Sequence, residues 1–437
     1  MKPFTKKLLL VSSALLCALP ESASALAMFS SQTGKSCMAC HTQNMPKLNS
    51  YGKEFALSGY TIYDESKTAK PLIVGSDVPL GLPSTLSVSA VLKASYVKTT
   101  QEEDATTGDL VGTERGELQG LSASGIYFGG RVADNFGALV SLKGNDDKRT
   151  DIVYNAKLLL AYSAMGGYAG MSLISTETNG LFSGMELHNT GLNTPVKMFE
   201  NAYATNAAQA TGVGNGPATA LQAYYGNANL FVSAGIGIPA QNSEGLDAGK
   251  SLLPFYRISY SQPIGDWNFM VGAYAVKGDV EASDMSLNGE LVSNRAELVK
   301  IHKEAHGFDF EMSGKLFDMS AMATVNHVVR NTVDVDPAAV LTAYNLQSTD
   351  NKGTSVELQI NPIEPLGLKV GYLSYANNDD AATNQKFIKN YDYEAYTVGA
   401  SYNVLENFSV GIDVSRYYPE SDIKSYDDIY VNAALAF

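Results

Sequence analysis

The run Ser36-Cys37-Met38-Ala39-Cys40-His41 carries two thiols and an imidazole at the Cys-x-x-Cys-His spacing of covalent haem attachment. One helical turn brings the thiols of Cys37 and Cys40 to the two vinyl groups of a haem, and His41, next in the chain, offers its imidazole to the iron. Three other chemistries use such residues. A structural zinc site needs four ligands, and this segment offers these three. A thioredoxin-like pair wants a βαβ setting, which the surrounding pattern lacks. A plain Cys37–Cys40 disulfide is open to any exported chain. The histidine in the motif favours one covalent haem c per chain, with Cys37, Cys40 and His41 as its binding residues and His41 as the axial ligand to iron. For the distal side no other histidine precedes His188, which leaves Met28, Met38, Met45, Lys35, Lys47 and Lys53. Met45 falls one helical turn past His41, on the same side of the ring as the proximal ligand. Met28, upstream and free to cross over, is the candidate distal ligand.

The N-terminus indicates the compartment. Lys2, Lys6 and Lys7 precede an apolar run from Leu8 to Leu19, and Ala23, Ala25 and Ala27 offer small-residue cleavage sites, the pattern of a secretory signal peptide over residues 1–27. Cys17, the third cysteine, lies inside that run, and Leu16 before it argues against a lipoprotein. Cleavage takes the formal charge from −14 to −16, which disfavours nucleic acid and anionic lipid surfaces as partners. Beyond the signal no window approaches the roughly 18 apolar residues of a membrane helix. An exported chain without such a helix is secreted, periplasmic, or inserted as a closed barrel.

Downstream of residue 80 apolar residues alternate with period two. Ile429, Val431, Ala433, Leu435 and Phe437 share one strand face, Phe408, Val410, Ile412 and Val414 another, and Val356, Leu358 and Ile360 a third. Alternation alone fits a soluble sandwich as well as a membrane barrel. The connections separate the two. Short ones near residues 132, 163, 226, 261, 314, 361 and 403 alternate with long polar ones, including a Gly/Asn/Ala-rich stretch from about 177 to 217. Short turns at one end and long loops at the other describe an outer-membrane barrel of about 16 antiparallel strands, ending on Phe437 at the short-turn side. The 25 Tyr, 16 Phe and single Trp267, placed just after a short turn, suit an aromatic girdle against outer-membrane lipid.

Residues 28–80 lack this alternation. The stretch Pro46–Tyr60 reads as a short helix with Leu48, Tyr51 and Phe55 on one face, Pro46 near its start and Gly59 past its end. So small a segment cannot bury enough apolar surface alone, and a covalent haem would supply its core. A Pro/Gly-rich connector then leads to a first strand near Ser84. The sequence therefore divides into a signal peptide (1–27), a mainly helical monohaem segment with linker (28–80) and a porin-like barrel (81–437), a mainly β chain.

Residues 29–61 resemble the haem segment of the fused outer-membrane cytochrome-porins that act as iron oxidases in iron-oxidising bacteria. The matching positions are Gln32, Thr33 and Gly34 before the motif, then Pro46, Leu48, Asn49, Gly52, Phe55, Gly59 and Tyr60 after it, with Lys53 where that family often has arginine. The order of signal peptide, one haem segment and a 16-stranded porin is also similar. The resemblance implies electron transfer from extracellular Fe(II), through the haem, to a soluble periplasmic carrier such as a cytochrome. Because a barrel's apolar band is about 25 Å tall and a single haem has to serve both sides, the haem segment is expected in or against the lumen as a plug, or on its periplasmic side. Acidic loops are candidate Fe(II) collectors: Glu102, Glu103, Asp104 and Asp109; Asp146 and Asp147; Asp379 and Asp380. His188, His302, His306 and His327 read as ordinary loop or strand-end residues. Two alternatives use the same residues: a passive porin with a structural haem and an open lumen, and an outward conduit to extracellular acceptors.

Overall fold

Alternation of period two becomes a closed cylinder. The computed structural model describes residues 26–42, 47–64, 72–73, 81–82, 87–103, 110–112, 116–121, 124–144, 152–184, 190–192, 195–239, 249–283, 298–333, 350–377, 392–405, 407–420 and 424–437. Sixteen antiparallel strands form the barrel, each paired with its neighbours in sequence. They are β1 (Val88–Thr99), β2 (in two lengths, Gly116–Gly120 and Gly125–Ala133), β3 (Phe136–Gly144), β4 (Ile152–Ala164), β5 (Gly167–Thr176), β6 (Ala218–Gly226), β7 (Leu230–Ile238) and β8 (Leu253–Ile264). The second half comprises β9 (Trp267–Ser283), β10 (Leu298–Leu316), β11 (Met319–Val333), β12 (Asn351–Ile363), β13 (Leu366–Asn377), β14 (Tyr393–Leu405), β15 (Phe408–Pro419) and β16 (Tyr426–Ala436). Pairing of β16 with β1, from Asp428 opposite Thr99 to Ala436 opposite Val91, closes the cylinder and leaves no open edge. Phe437 adds two backbone hydrogen bonds with Ala90, of 2.7 and 2.9 Å.

The two lengths of β2 face one partner. Gly120 pairs with Ala94 and Gly125 with Val91, so the ladder is interrupted between them, and Leu121 there has φ 62°. The seven short connections expected from sequence are the tight turns of the structure. Two are built on consecutive positive-φ residues, Met165–Gly166 and Phe317–Asp318, the backbone of a two-residue hairpin turn.

The radial distribution of polarity decides between sandwich and membrane barrel. Leu173, Leu221, Ile236, Ile258, Val271, Leu358, Val370 and Val398 face outward and are exposed. Ser172, Gln222, Ser233, Arg257, Asp309, Glu311, Thr324, Asn326 and Glu357 face inward and are buried. Apolar residues on the exposed face and polar ones inside are the inverse of a soluble protein and the pattern of a barrel in lipid. No helix among the described residues is long and apolar enough to cross a membrane.

Two pieces fill the bore. One is N-terminal: α1 (Ala27–Thr33), a 3₁₀ turn (Cys37–Ala39) and α2 (Ser50–Leu57). The expected helix over Pro46–Tyr60 is thus shorter. It starts at the Asn49 N-cap, leaving Leu48 outside it in a bridge to His41, and Gly59 (φ 71°) follows its end as expected. The other piece is the connection from β5 to β6, residues 177–217, read from sequence as a polar outer loop. Its described residues fold inward instead, with the short helix α3 (Ala207–Ala210) packed on β11, β12 and β13. Phe182, Leu192, Phe199, Ala204, Thr205 and Ala208 on it are at most 1% exposed.

Candidate functional site

The Cys-x-x-Cys-His residues lie on one tight turn. The carbonyl of Cys37 accepts from the amides of Cys40 (3.0 Å) and His41 (2.9 Å), which stacks the first cysteine beneath the second and the histidine. The chain then reverses. His41 and Leu48 form an antiparallel bridge, Thr42 N–H donates to the Lys47 carbonyl at 2.9 Å, and Asn49 N–H donates to the Cys40 carbonyl at 2.9 Å.

Asn49 holds both sides of this reversal. Its Nδ2 points at the carbonyls of Met38, Ala39 and His41 at 3.2, 3.0 and 3.3 Å, and its Oδ1 accepts from Gly52 N–H at 3.1 Å, capping α2. Gly52 lets helix and turn meet backbone to backbone, because a Cβ there would stand 2.0 Å from the Cys40 oxygen. Nothing in the sequence marks Asn49 as a clamp beyond its place before a helical run.

No disulfide joins Cys37, which is buried, to Cys40, which is half-buried. Burial, and secondarily Cys37, pushes the Cys40 thiol above its ordinary pKa. Among the described residues no three His, Cys, Asp or Glu side chains converge as metal ligands. Two thiols and a following imidazole on one braced turn would fit covalent haem c, with Cys37 and Cys40 as its attachment points and His41 as its axial group. Met28 is not on this turn. It is buried in α1, where its amide donates to Ser89 Oγ of β1 at 2.8 Å.

Barrel side chains hold this segment from several directions. Lys47 Nζ reaches Glu311 Oε2 of β10 at 2.8 Å, with both side chains nearly buried. Gln32 Nε2 donates to the carbonyls of Tyr60 and Ile62 at 2.6 and 2.8 Å, while its Oε1 accepts from Arg131 N–H of β2 at 3.0 Å. Tyr224 of β6 donates to the Leu57 carbonyl at 2.9 Å. Lys53 is drawn down from its usual pKa by desolvation; Glu311 opposes that shift and Lys47 adds to it. The segment's core is the cluster Phe29, Phe55 and Tyr60, whose ring centroids are 5.0 to 5.6 Å apart, completed by Leu159 and Ala161 of the wall beside Gly59. The expectation that a haem alone would provide that core is corrected: the barrel provides much of it.

The inward loop is fastened by charges facing it. Arg257 of β8 makes a bidentate pair with Asp309 of β10 at 2.6 and 2.8 Å, and Asp309 accepts from Thr190 Oγ1 at 2.6 Å. Lys369 of β13 bridges Asp413 of β15 at 2.8 Å and the Met198 carbonyl at 3.0 Å. Glu200 sits between Lys93 and Lys197. Burial by itself would raise its carboxyl, but the two lysines outweigh that and hold it below the ordinary carboxylate range.

Of the acidic candidates, Asp104, Asp109, Asp146, Asp147, Asp379 and Asp380 lie outside the described residues, as does His188. Glu102 and Glu103 belong to a short strand beyond the barrel wall. His302 and His306 alternate with the inward Lys303 and Ala305 on β10 and so face outward, His302 beside Asp279 at 2.7 Å. His327 meets Thr354 at 2.8 Å and the Phe308 ring. None of the described groups among these gathers at the Cys37–His41 turn.

No protein-family model and no curated protein matches the sequence. Among solved structures, a loop-L8 deletion mutant of OmpT, an outer membrane protein of Vibrio cholerae, aligns over 81% of this chain and 99% of its own, at 12% identity and a TM-score of 0.51. The outer membrane channel DcaP of Acinetobacter baumannii covers 80% of this chain and 97% of its own at 14% identity and TM-score 0.49. An anion-selective porin from Comamonas acidovorans covers 81% and 99% at 10% identity and TM-score 0.47. At such identities the first likeness concerns the fold alone. That fold, with its lipid-facing exterior, is an outer-membrane β-barrel of porin architecture.

Proposed function

We propose that this chain is an outer-membrane electron-transfer barrel that carries one covalent haem c and passes electrons from extracellular Fe(II) to a soluble periplasmic carrier such as a cytochrome. The observation that supports this reading most is the braced Cys37–His41 turn tied to the inner wall of a barrel whose bore also holds the described residues of the 177–217 loop. Held through Cys37 and Cys40 with the His41 imidazole on its iron, and Met28 as the candidate distal ligand, haem c would supply a one-electron redox couple.

The remaining work falls to the chain's own residues. Asn49 and Gly52 keep the three binding side chains on one turn. Lys47, Glu311, Gln32 and Tyr224 hold that turn to the wall at the short-turn end, which in outer-membrane barrels faces the periplasm. The 177–217 loop, with Arg257, Asp309, Lys369 and Asp413 behind it, occupies the bore above. A dissolved metal ion is the donor that suits a chain with one haem motif, since no second motif extends a relay to the cell surface.

The porin architecture itself favours a second reading, a passive channel with a structural haem. Leu253, Phe255, Arg257, Ser259 and Ser261 along the inner face of β8 are at most 4% exposed, which weighs against a wide pore there. Proteoliposomes enclosing an oxidised soluble c-type cytochrome, with Fe(II) added outside under anaerobic conditions, separate the readings. Reduction of the enclosed cytochrome without solute leakage supports the conduit. Solute permeation without reduction supports the channel. Electron flow only from an internal reductant to an external acceptor supports the outward direction.

A further inference from the structure

Two of the tight turns go against the residue preference of their own geometry. Met165 (φ 47°) and Phe317 (φ 48°) take the first left-handed position of a two-residue hairpin, where glycine, asparagine and aspartate fit at least cost. A large side chain in that backbone is strained. Neither residue gains packing in return, since Met165 is 85% and Phe317 87% exposed. Lipid does not account for them either. Trp267 pairs with Gly314, so Phe317 lies three residues past the aromatic girdle, and Met165 lies three past the outward-facing, exposed Tyr162. Two apolar tips held in water at a backbone cost point to contact with another molecule.

The tips flank the N-terminal segment. Met165 joins β4 to β5 and Phe317 joins β10 to β11, with the six strands β5 to β10 between them around the mouth. In that mouth the Cys37–His41 segment is held by Arg131 of β2, Tyr224 of β6 and Glu311 of β10, all near the short-turn ends of their strands. A body that touches both tips therefore covers the segment. The exposed charges around it favour one sign. Asp266, Asp318 and Glu364 in the turns and Glu54 on α2 face Lys35 and Lys315 among the described exposed residues, and Asp134 is paired with Arg131. Apolar tips within a mainly acidic rim complement a partner with an apolar patch inside a basic rim.

We propose that the short-turn face docks a small soluble electron-carrier protein with a basic surface, gripped by Met165 and Phe317 and oriented by the carboxylates between them. That the partner carries electrons rests on the function proposed above; the surface itself does not. The test is binding of two soluble c-type cytochromes of similar size, one basic and one acidic, to the intact protein in lipid nanodiscs, measured as complex formation at low and high salt. The basic cytochrome should bind saturably, more weakly in salt, and roughly tenfold or more tighter than the acidic one. Met165→Asn with Phe317→Asn gives both turns a residue their backbone prefers. That double variant should lose roughly tenfold in affinity while the barrel melts at the same or a higher temperature. Asp318→Asn with Glu364→Gln should slow association. Haem reduction is followed separately. Tip-dependent binding without reduction keeps the surface and retires the electron-transfer reading, and reduction at wild-type rate in the double Asn variant does the reverse. Equal binding of both cytochromes, no binding, or unchanged affinity in the folded double variant would overturn the proposal. So would unchanged affinity accompanied by easier extraction of that variant from vesicles, which would make the tips lipid anchors.

Discussion

Lys47 Nζ lies 2.8 Å from Glu311 Oε2, which ties the loop after the Cys-x-x-Cys-His turn to the tenth strand of the barrel. The two residues are 264 positions apart in sequence, and both side chains are nearly buried. Removing one member of such a pair leaves the other charge desolvated, at a cost of about 3–5 kcal/mol. Glu311→Gln is therefore expected to loosen the N-terminal segment while the barrel stays closed. Limited proteolysis should cleave within residues 26–64 in the variant at least several-fold faster than in wild type, with unboiled gel migration unchanged. Equal cleavage rates would remove the tether.

Asn49→Ala takes away a helix cap and three contacts to the carbonyls of the turn. The expected loss is about 1–2 kcal/mol for the cap, with further loss from the carbonyls left without a donor. Haem staining per chain on a denaturing gel should fall, and Asn49→Asp, which keeps the cap but cannot donate to those carbonyls, should restore only part of it.

Gly52→Ala places a methyl group 2.0 Å from a backbone oxygen, where no flexible side chain can yield. Helix and turn must separate, at a cost of about 1–3 kcal/mol typical of overpacking. Haem content should drop with no change in the β-rich circular dichroism of the barrel.

Acid should release the inward loop. Glu200 has a folded pKa below its unfolded one, held there by Lys197 and Lys93 against the opposing effect of burial. Its contribution is present above the unfolded carboxylate value near 4.5 and is lost as pH falls toward the lower folded value. Proteolysis of residues 177–217 should accelerate below about pH 4.5, and Glu200→Gln should flatten that dependence while raising the rate at neutral pH. A variant with wild-type acid sensitivity would assign the transition to another carboxylate.

The barrel was legible in the sequence because its signal is local. A strand between lipid and bore must alternate, and Val356-Glu357-Leu358-Gln359-Ile360 does so whatever lies elsewhere in the chain. Tight turns such as Met165–Gly166 are local as well. The sequence reads 177–217 as a polar outer loop because the burial of its described residues is conferred by residues distant in sequence, among them Asp309, Ser355 and Tyr417, which hydrogen-bond to Thr190, Ala207 and Asn201. A signal was present: residues 201–217 contain no charged side chain, which is unusual for a solvated loop of that length. At the candidate site, Cys37, Cys40 and His41 declare themselves by spacing. Asn49 and Glu311 do not, since their roles depend on a chain reversal and on a strand far along the barrel.

The central claim is tested most directly by anaerobic mixing of the purified, oxidised protein in detergent with Fe(II) near neutral pH, followed by visible absorption. The account predicts one covalent haem per chain that becomes reduced by Fe(II). Cys37→Ser with Cys40→Ser should abolish covalent haem, and His41→Ala should greatly weaken the Fe(II) response in a barrel that still migrates faster unboiled. A wild-type protein without covalent haem, or one whose haem stays oxidised with excess Fe(II), would contradict it.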